Sequence, residues 1–228
     1  MTSSEALKQF EESLQMAEAL IKIEENFNDP PSYEEQKAVQ GLRGGAAVLI
    51  VASWENYLGR LIEEELTNLI THSPKVPFKE LPLQIQTHSV IKTLEPAMKD
   101  ANKINKLRDI ERACQSVIDG KVDPALFSDT RSNPSPKRIR EMFGNIGIDN
   151  IFVCIRGDFD IQWDKVESST FINDKLGEIM ERRHVVAHKA DALKITRSDL
   201  NNYIKFMKIV APLFEKQLRV HISNIIMA

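Results

Sequence analysis

AAVLIVASWENYLGRLIEEELTNLI, residues 46–70, is the stretch on which the fold turns. Its first half is apolar on almost every side. From Glu63 onward acidic residues hold one face, while Leu66, Leu69 and Ile70 keep the other. The run is too long for a strand, and its apolar part falls short of the roughly 18 continuous apolar residues that a membrane helix needs. What remains is the central helix of a bundle, enclosed first and amphipathic afterwards. The spacing predicts that helix over residues 33–71, with Leu49, Ile50 and Leu58 in the core.

On the N-terminal side, Leu7, Phe10, Leu14, Ala17, Leu20 and Ile21 recur at three- and four-residue steps, so a helix is expected over 4–27 with Ser3 or Ser4 as its cap. NDPPS (28–32) breaks it, because Pro30 and Pro31 cannot continue a helix. On the C-terminal side, HSPKVPFKELP (72–82) reads as loop. Residues 83–95 then form a short helix stopped near Pro96. Residues 97–119 form another, with Ile104, Leu107, Ile110, Ala113, Val117 and Ile118 as its apolar stripe and Gly120 as C-cap. A further short helix over 135–143 ends at Gly144. NIFVCI (150–155) is the only strand-like run, and RGDFDIQWDKVESST (156–170) lacks a period and reads as loop. Helix resumes over 170–189, and a last one, capped by Thr196 or Ser198, runs to about residue 226. Gly-Gly and Ser-Pro pairs elsewhere read as turns, and GLRGG (41–45) lacks the lysine that would make it a phosphate loop. The expectation is an all-α, antiparallel helical bundle with irregular loop insertions. It forms one domain over 1–228, in which 1–30 is an N-terminal helical extension and 33–226 the core bundle.

Of the 228 residues, 42% are hydrophobic and 28% charged, the proportions of an ordinary globular chain. The N-terminus lacks a basic region followed by an apolar run, so no secretory signal is expected. Cys114 and Cys154 have no CxxC partner and read as free, buried or half-buried thiols in a reducing, cytoplasmic setting. The net charge is −3, with residues 1–130 acidic and residues 131–228 mildly basic. That asymmetry admits a polyanion-facing side as well as merely solvated faces.

The chemistry concentrates in ERRHVVAHKAD, residues 181–191. On a helix His184 and His188 share a face, while Arg183 lies about 140° from His188 and can swing towards it on its long side chain. Three readings stand side by side. Histidines at i and i+4 can hold zinc, but HVVAH lacks the glutamate of HExxH. Polar residues at a helix end can be structural, with Arg183 paired to Glu55 or Glu178. The third is cleavage of RNA by its own 2′-hydroxyl. That reaction needs a group to take or orient the proton, a group to protonate the leaving 5′-oxygen, and a cation for the phosphorane charge. Imidazole suits the proton work and guanidinium the phosphate.

RHVVAH (183–188) fits the R-x4-6-H motif of the HEPN superfamily, with His184 at the polar position after the arginine. Residues 46–66, with Trp54, Glu55 and Tyr57, resemble the first core helix of the stand-alone prokaryotic RiboL-PSP-HEPN group. RSNPSPKRIREMFGNIGI (131–148) is similar to that group's middle segment. The resemblance covers roughly residues 35–225. It implies a homodimer that joins two motifs in one cleft and acts as a metal-independent endoribonuclease of a toxin–antitoxin or phage-defence type, leaving a 2′,3′-cyclic phosphate. The alternative it admits is a catalytically inactive module that binds RNA, nucleotide or protein. By the same resemblance Arg183 and His188 are the catalytic pair and His184 is auxiliary. Glu55 orients Arg183 or is structural, and Arg182 and Lys189 are candidate substrate contacts. No metal or cofactor is implied; the expected partners are RNA, a second copy and an antitoxin or regulator on a separate chain, with no membrane. Lys137, Arg138 and Arg140 admit a basic RNA-gripping loop, but a proline-led helix start is the favoured reading, since no aromatic is interleaved.

Overall fold

The structure is a computed structural model that describes residues 3–99, 102–130, 134–163, 165–189 and 195–228. Eight α-helices run in the order α1 (Glu5–Glu24), α2 (Gln36–Thr71), α3 (Leu83–Lys99), α4 (Lys103–Ile118), α5 (Pro136–Gly144), α6 (Ile151–Trp163), α7 (Phe171–Lys189) and α8 (Arg197–Met227). Two 3₁₀ turns, Phe78–Glu80 and Pro124–Leu126, punctuate the connections, and no strand occurs among the described residues. The fold is all-α, as the periodicity requires.

α2 is the axis of the bundle. At 36 residues it is about 54 Å long, and α1, α7 and α8 all pack on it. Ile50, Trp54, Leu58, Leu61, Ile62 and Leu66 are fully enclosed, which explains why this helix is apolar almost all round. Leu49 is only half-buried. An aromatic cluster joins three helices: Phe10 of α1 lies 4.9 Å from Tyr57, and Trp54 meets Phe214 of α8 edge-on at 5.4 Å. The Tyr57 hydroxyl donates to the Ala211 carbonyl at 2.6 Å, so its burial leaves no unmet donor. Burial, with the charge of Glu215 beside it, pushes that phenol well above its ordinary pKa.

α1 is woven into this core. Ser4 caps the helix by accepting from the Leu7 amide, and its own amide and hydroxyl both donate to Glu215 of α8 at 2.9 Å. Arg219 shares the Oε1 oxygen of that carboxylate with the Ser4 amide, at 2.6 Å. α8 opens with a capping box between Thr196 and Asp199.

Several sequence expectations need correction. α2 begins at Gln36, three residues after the predicted start. Gly44 and Gly45 lie within it and form no turn; a Cβ on Gly45 would sit 3.1 Å from Leu20 Cδ1, so the glycine lets α1 approach closely. α3 runs past Pro96 to Lys99, and α4 starts only at Lys103. A proline near a helix end forfeits one intrahelical bond, which the last turn tolerates. The apolar stripe of α4 is not buried: Ile104, Leu107, Ile110 and Ile118 are exposed, and the side chains of Ala113 and Val117 lie outside the described ones. Residues 151–163 are helix, where the sequence pattern suggests a strand-like run followed by loop. Ile151, Phe152, Ile155 and Phe159 form a buried helical face, and Arg156 pairs with Asp160 at 2.7 Å on the solvent side. Both cysteines are exposed. Gly144 ends α5 within the helix, and Gly147 (φ +104°) makes the turn that follows. Gly120 adopts the expected left-handed conformation after α4.

Candidate active site on helix α7

α7 carries the whole RHVVAH stretch on one unbroken helix. Its entry is fixed by Thr170, whose hydroxyl donates to Asp174 at 2.7 Å, and its inner face by Ile172, Leu176 and Ile179 in the core. Arg183 and residue 188 are therefore about 7.5 Å apart along the axis. Arg183 is half-buried; the side chains of His184, His188 and Lys189 lie outside the described ones.

One turn before the motif, Glu178 accepts from the Tyr203 hydroxyl at 2.6 Å and from Lys175 at 2.7 Å. Burial alone would raise this carboxyl, but those two donors outweigh it and hold it below the ordinary range. Burial and the bond to Glu178 push the Tyr203 phenol up. The positive charge of Arg182 adds to the lowering of Glu178. Glu178 is thus engaged by Lys175 and Tyr203. Glu55 is half-buried on α2, where it accepts from the Thr130 hydroxyl at 2.8 Å; it makes no ion pair with Arg183 among the described residues.

The start of α8 is tethered to α1 and α2. Arg43 of α2 is buried and donates through Nε to Glu24 at 2.8 Å, through Nη2 to Asp29 at 3.0 Å and through Nη1 to the Ile195 carbonyl at 3.2 Å. Arg197 of α8 shares the same Glu24 and also bonds the Glu24 and Phe27 carbonyls. α1, the loop after it, α2 and the start of α8 are thus pinned together. Within the motif, Val186 forms one wall of an open groove of about 610 Å³ whose other walls are Leu20 and the α2 residues from Lys37 and Gln40 through the glycines to Val48 and Leu49.

Neither groove nor tether was found from sequence. The signal was present for both: glycines at helical steps in an otherwise bulky helix, and one arginine inside an apolar run. Away from α7, Arg138 is buried, donating to the Asp129 carbonyl and pairing with Glu141 at 3.2 Å. Arg140 bonds Asn173 and lies 5.8 Å from the Phe152 ring centroid. Ser135 caps α5 with Pro136 in its first turn, so the segment is a helix start and Arg138 is no RNA-gripping residue.

The family model for RiboL-PSP-HEPN matches residues 11–219. The chain belongs to this family. The match begins inside α1 and takes in α7 with its complete R-x4-H stretch. Membership places the chain among nuclease-like, RNA-related helical modules, whose domains bind RNA and often dimerise. Comparison with curated proteins and with solved structures finds no match. No helix is long and apolar enough to cross a membrane among the described residues.

Proposed function

We propose that this RiboL-PSP-HEPN chain is a metal-independent endoribonuclease of a toxin–antitoxin or phage-defence type, acting as a homodimer that joins two Arg183–His188 motifs. The reading is supported above all by one observation: the R-x4-H stretch lies on a continuous helix, inside the region that matches the family. Arg183 has the chemistry to bind the scissile phosphate, since its charge is permanent and its donors form a fork that matches two phosphate oxygens. His188 exchanges protons with the 2′-hydroxyl or the leaving 5′-oxygen, and the second copy supplies the complementary group. His184 positions the phosphate, and Arg182 and Lys189 contact the flanking backbone. Glu55 supports the site through α2.

The test is cleavage of a labelled single-stranded RNA in EDTA, with the product ends identified. A cyclic phosphate product is expected. His188→Ala should slow cleavage by about 10²–10⁴, the usual worth of general acid–base catalysis. Arg183→Ala and Arg183→Lys should both fail, with the helical spectrum retained, and His184→Ala should be milder. Full activity in His188→Ala overturns the mechanism. RNA binding by the folded dimer without any cleavage would instead identify an inactive binding module.

A further inference from the structure

The hairpin formed by α3 and α4 carries an apolar face that is exposed among the described residues. α4 packs chiefly on α3. Along it Ile104, Leu107, Ile110 and Ile118 are 63%, 67%, 42% and 77% exposed, and Cys114 is exposed among them. Steps of three, three, four and four residues set these five side chains on one face of the helix. Met98, at the adjoining end of α3, is 77% exposed. A single exposed leucine is ordinary; a continuous row of large apolar side chains marks a contact surface.

We propose that this face joins two copies of the chain, α4 lying antiparallel on α4 of the second copy across a two-fold axis. The area fits such a pairing. Met98 and the four α4 aliphatics offer on the order of 100 Å² of apolar surface each, about 500 Å² per copy. A standard interface uses about 800 Å² per partner, and homodimer interfaces are about 65% apolar. The charges fit as well. Lys103 opens the helix and Asp119 follows its end, the latter already holding Lys121 at 2.8 Å. Antiparallel pairing lays the Lys103 end of each copy on the Asp119 end of the other and opposes the two helix dipoles. A lipid surface is a poorer occupant: Asp109, Glu111 and Asp119 offset the basic residues Lys103, Lys106, Arg108 and Arg112, and the face has no aromatic to seat in an interface. The proposal is independent of the function assigned to α7, because none of these residues belongs to the motif or its groove.

Thiol cross-linking tests it directly. Cys154→Ser leaves Cys114 as the sole cysteine, and a pair centred on the middle of α4 brings the two Cys114 residues to on the order of 10 Å, the reach of a short bis-maleimide. The expected result is a covalent dimer at micromolar protein. The double variant Leu107→Glu/Ile118→Glu, which alters only exposed positions, should abolish it and halve the mass measured by light scattering, from tetramer to dimer where the α7 motifs also pair and from dimer to monomer where they do not, with helical ellipticity unchanged. Absence of a cross-linked dimer overturns the proposal. So does a cross-link or mass that the double variant leaves unchanged, which would place association on another face such as α7. A monomer that instead binds anionic phospholipid vesicles also overturns it, in favour of a membrane surface.

Discussion

The end of α2 that faces α7 and the hairpin of α3 and α4 present the same sequence signature and opposite structural outcomes. Both are helical, with apolar residues at three- and four-residue steps. Around α2 most of those residues are buried, Val48 and Leu49 at the groove excepted, and one charged pair is enclosed with them: Arg43 and Glu24 are 3% and 1% exposed and satisfy one another. On α4 the stripe faces water. The difference teaches that periodicity determines which face of a helix is apolar but says nothing of what covers it. Coverage depends on how many neighbours the chain brings. α2 has three long helices against it; α4 has one.

Removing a tether should separate the two regions most. Arg43→Ala leaves the Glu24 carboxylate buried with Arg197 as its remaining partner, and should cost about 3–5 kcal/mol in urea denaturation. Arg43→Met restores most of the volume but leaves the same buried Glu24 carboxylate short of a partner, so most of the loss should remain; a loss much smaller than that of Arg43→Ala would mean that packing, not pairing, dominates. Leu58→Ala, at the centre of the core, should lose about 2–5 kcal/mol. Thr130→Ala removes the donor to Glu55, and should cost about 0.5–1.5 kcal/mol. Leu107→Ala on the hairpin should change monomer stability by no more than about 0.5 kcal/mol; a core-sized loss would mean that the stripe is covered within a single chain.

His88 lies on the seam between the two regions and supplies a pH test. Its ring packs 4.6 Å from Phe127, and Nε2 donates to the Leu126 carbonyl at 3.2 Å. Burial lowers its pKa from the ordinary 6.5, and Lys92 and Arg138 add to the effect. The unfolded chain therefore binds the proton more readily than the folded one. The His88 contribution is intact above about pH 6.5 and is lost as the pH falls from there through the lower, folded pKa. Thermal melts between pH 7 and 5.5 should show this decline, and His88→Phe should flatten it; an identical slope in the variant would remove His88 as the cause.

The sequence was most legible where local rules and burial agree. Ser4 and Thr196 read as caps and act as caps, because a side-chain oxygen two or three residues before a free amide needs no tertiary help. α6 was missed because its helical face is split between NIFVCI and the acidic run after it, so neither piece alone shows the period. The Arg183–His188 spacing was legible as residue chemistry. Its surroundings were not: Glu55 meets Thr130 across 75 positions, and Arg43 meets Ile195 across 152. Such pairings are set by how helices cross, which no short window records.

The distribution of aromatics has an optical consequence. Trp54 is enclosed in the central cluster, with no partner for its indole N–H among the described residues, and Trp163 stacks on Phe159 at 5.6 Å. Residues 83–118 contain no tryptophan, tyrosine or phenylalanine. The hairpin is thus spectroscopically dark in the near ultraviolet. A denaturation curve followed by tryptophan emission records the body of the bundle alone, whereas far-ultraviolet ellipticity also counts the helical turns of α3 and α4. Where the two curves part company, the gap between them is the hairpin coming loose on its own.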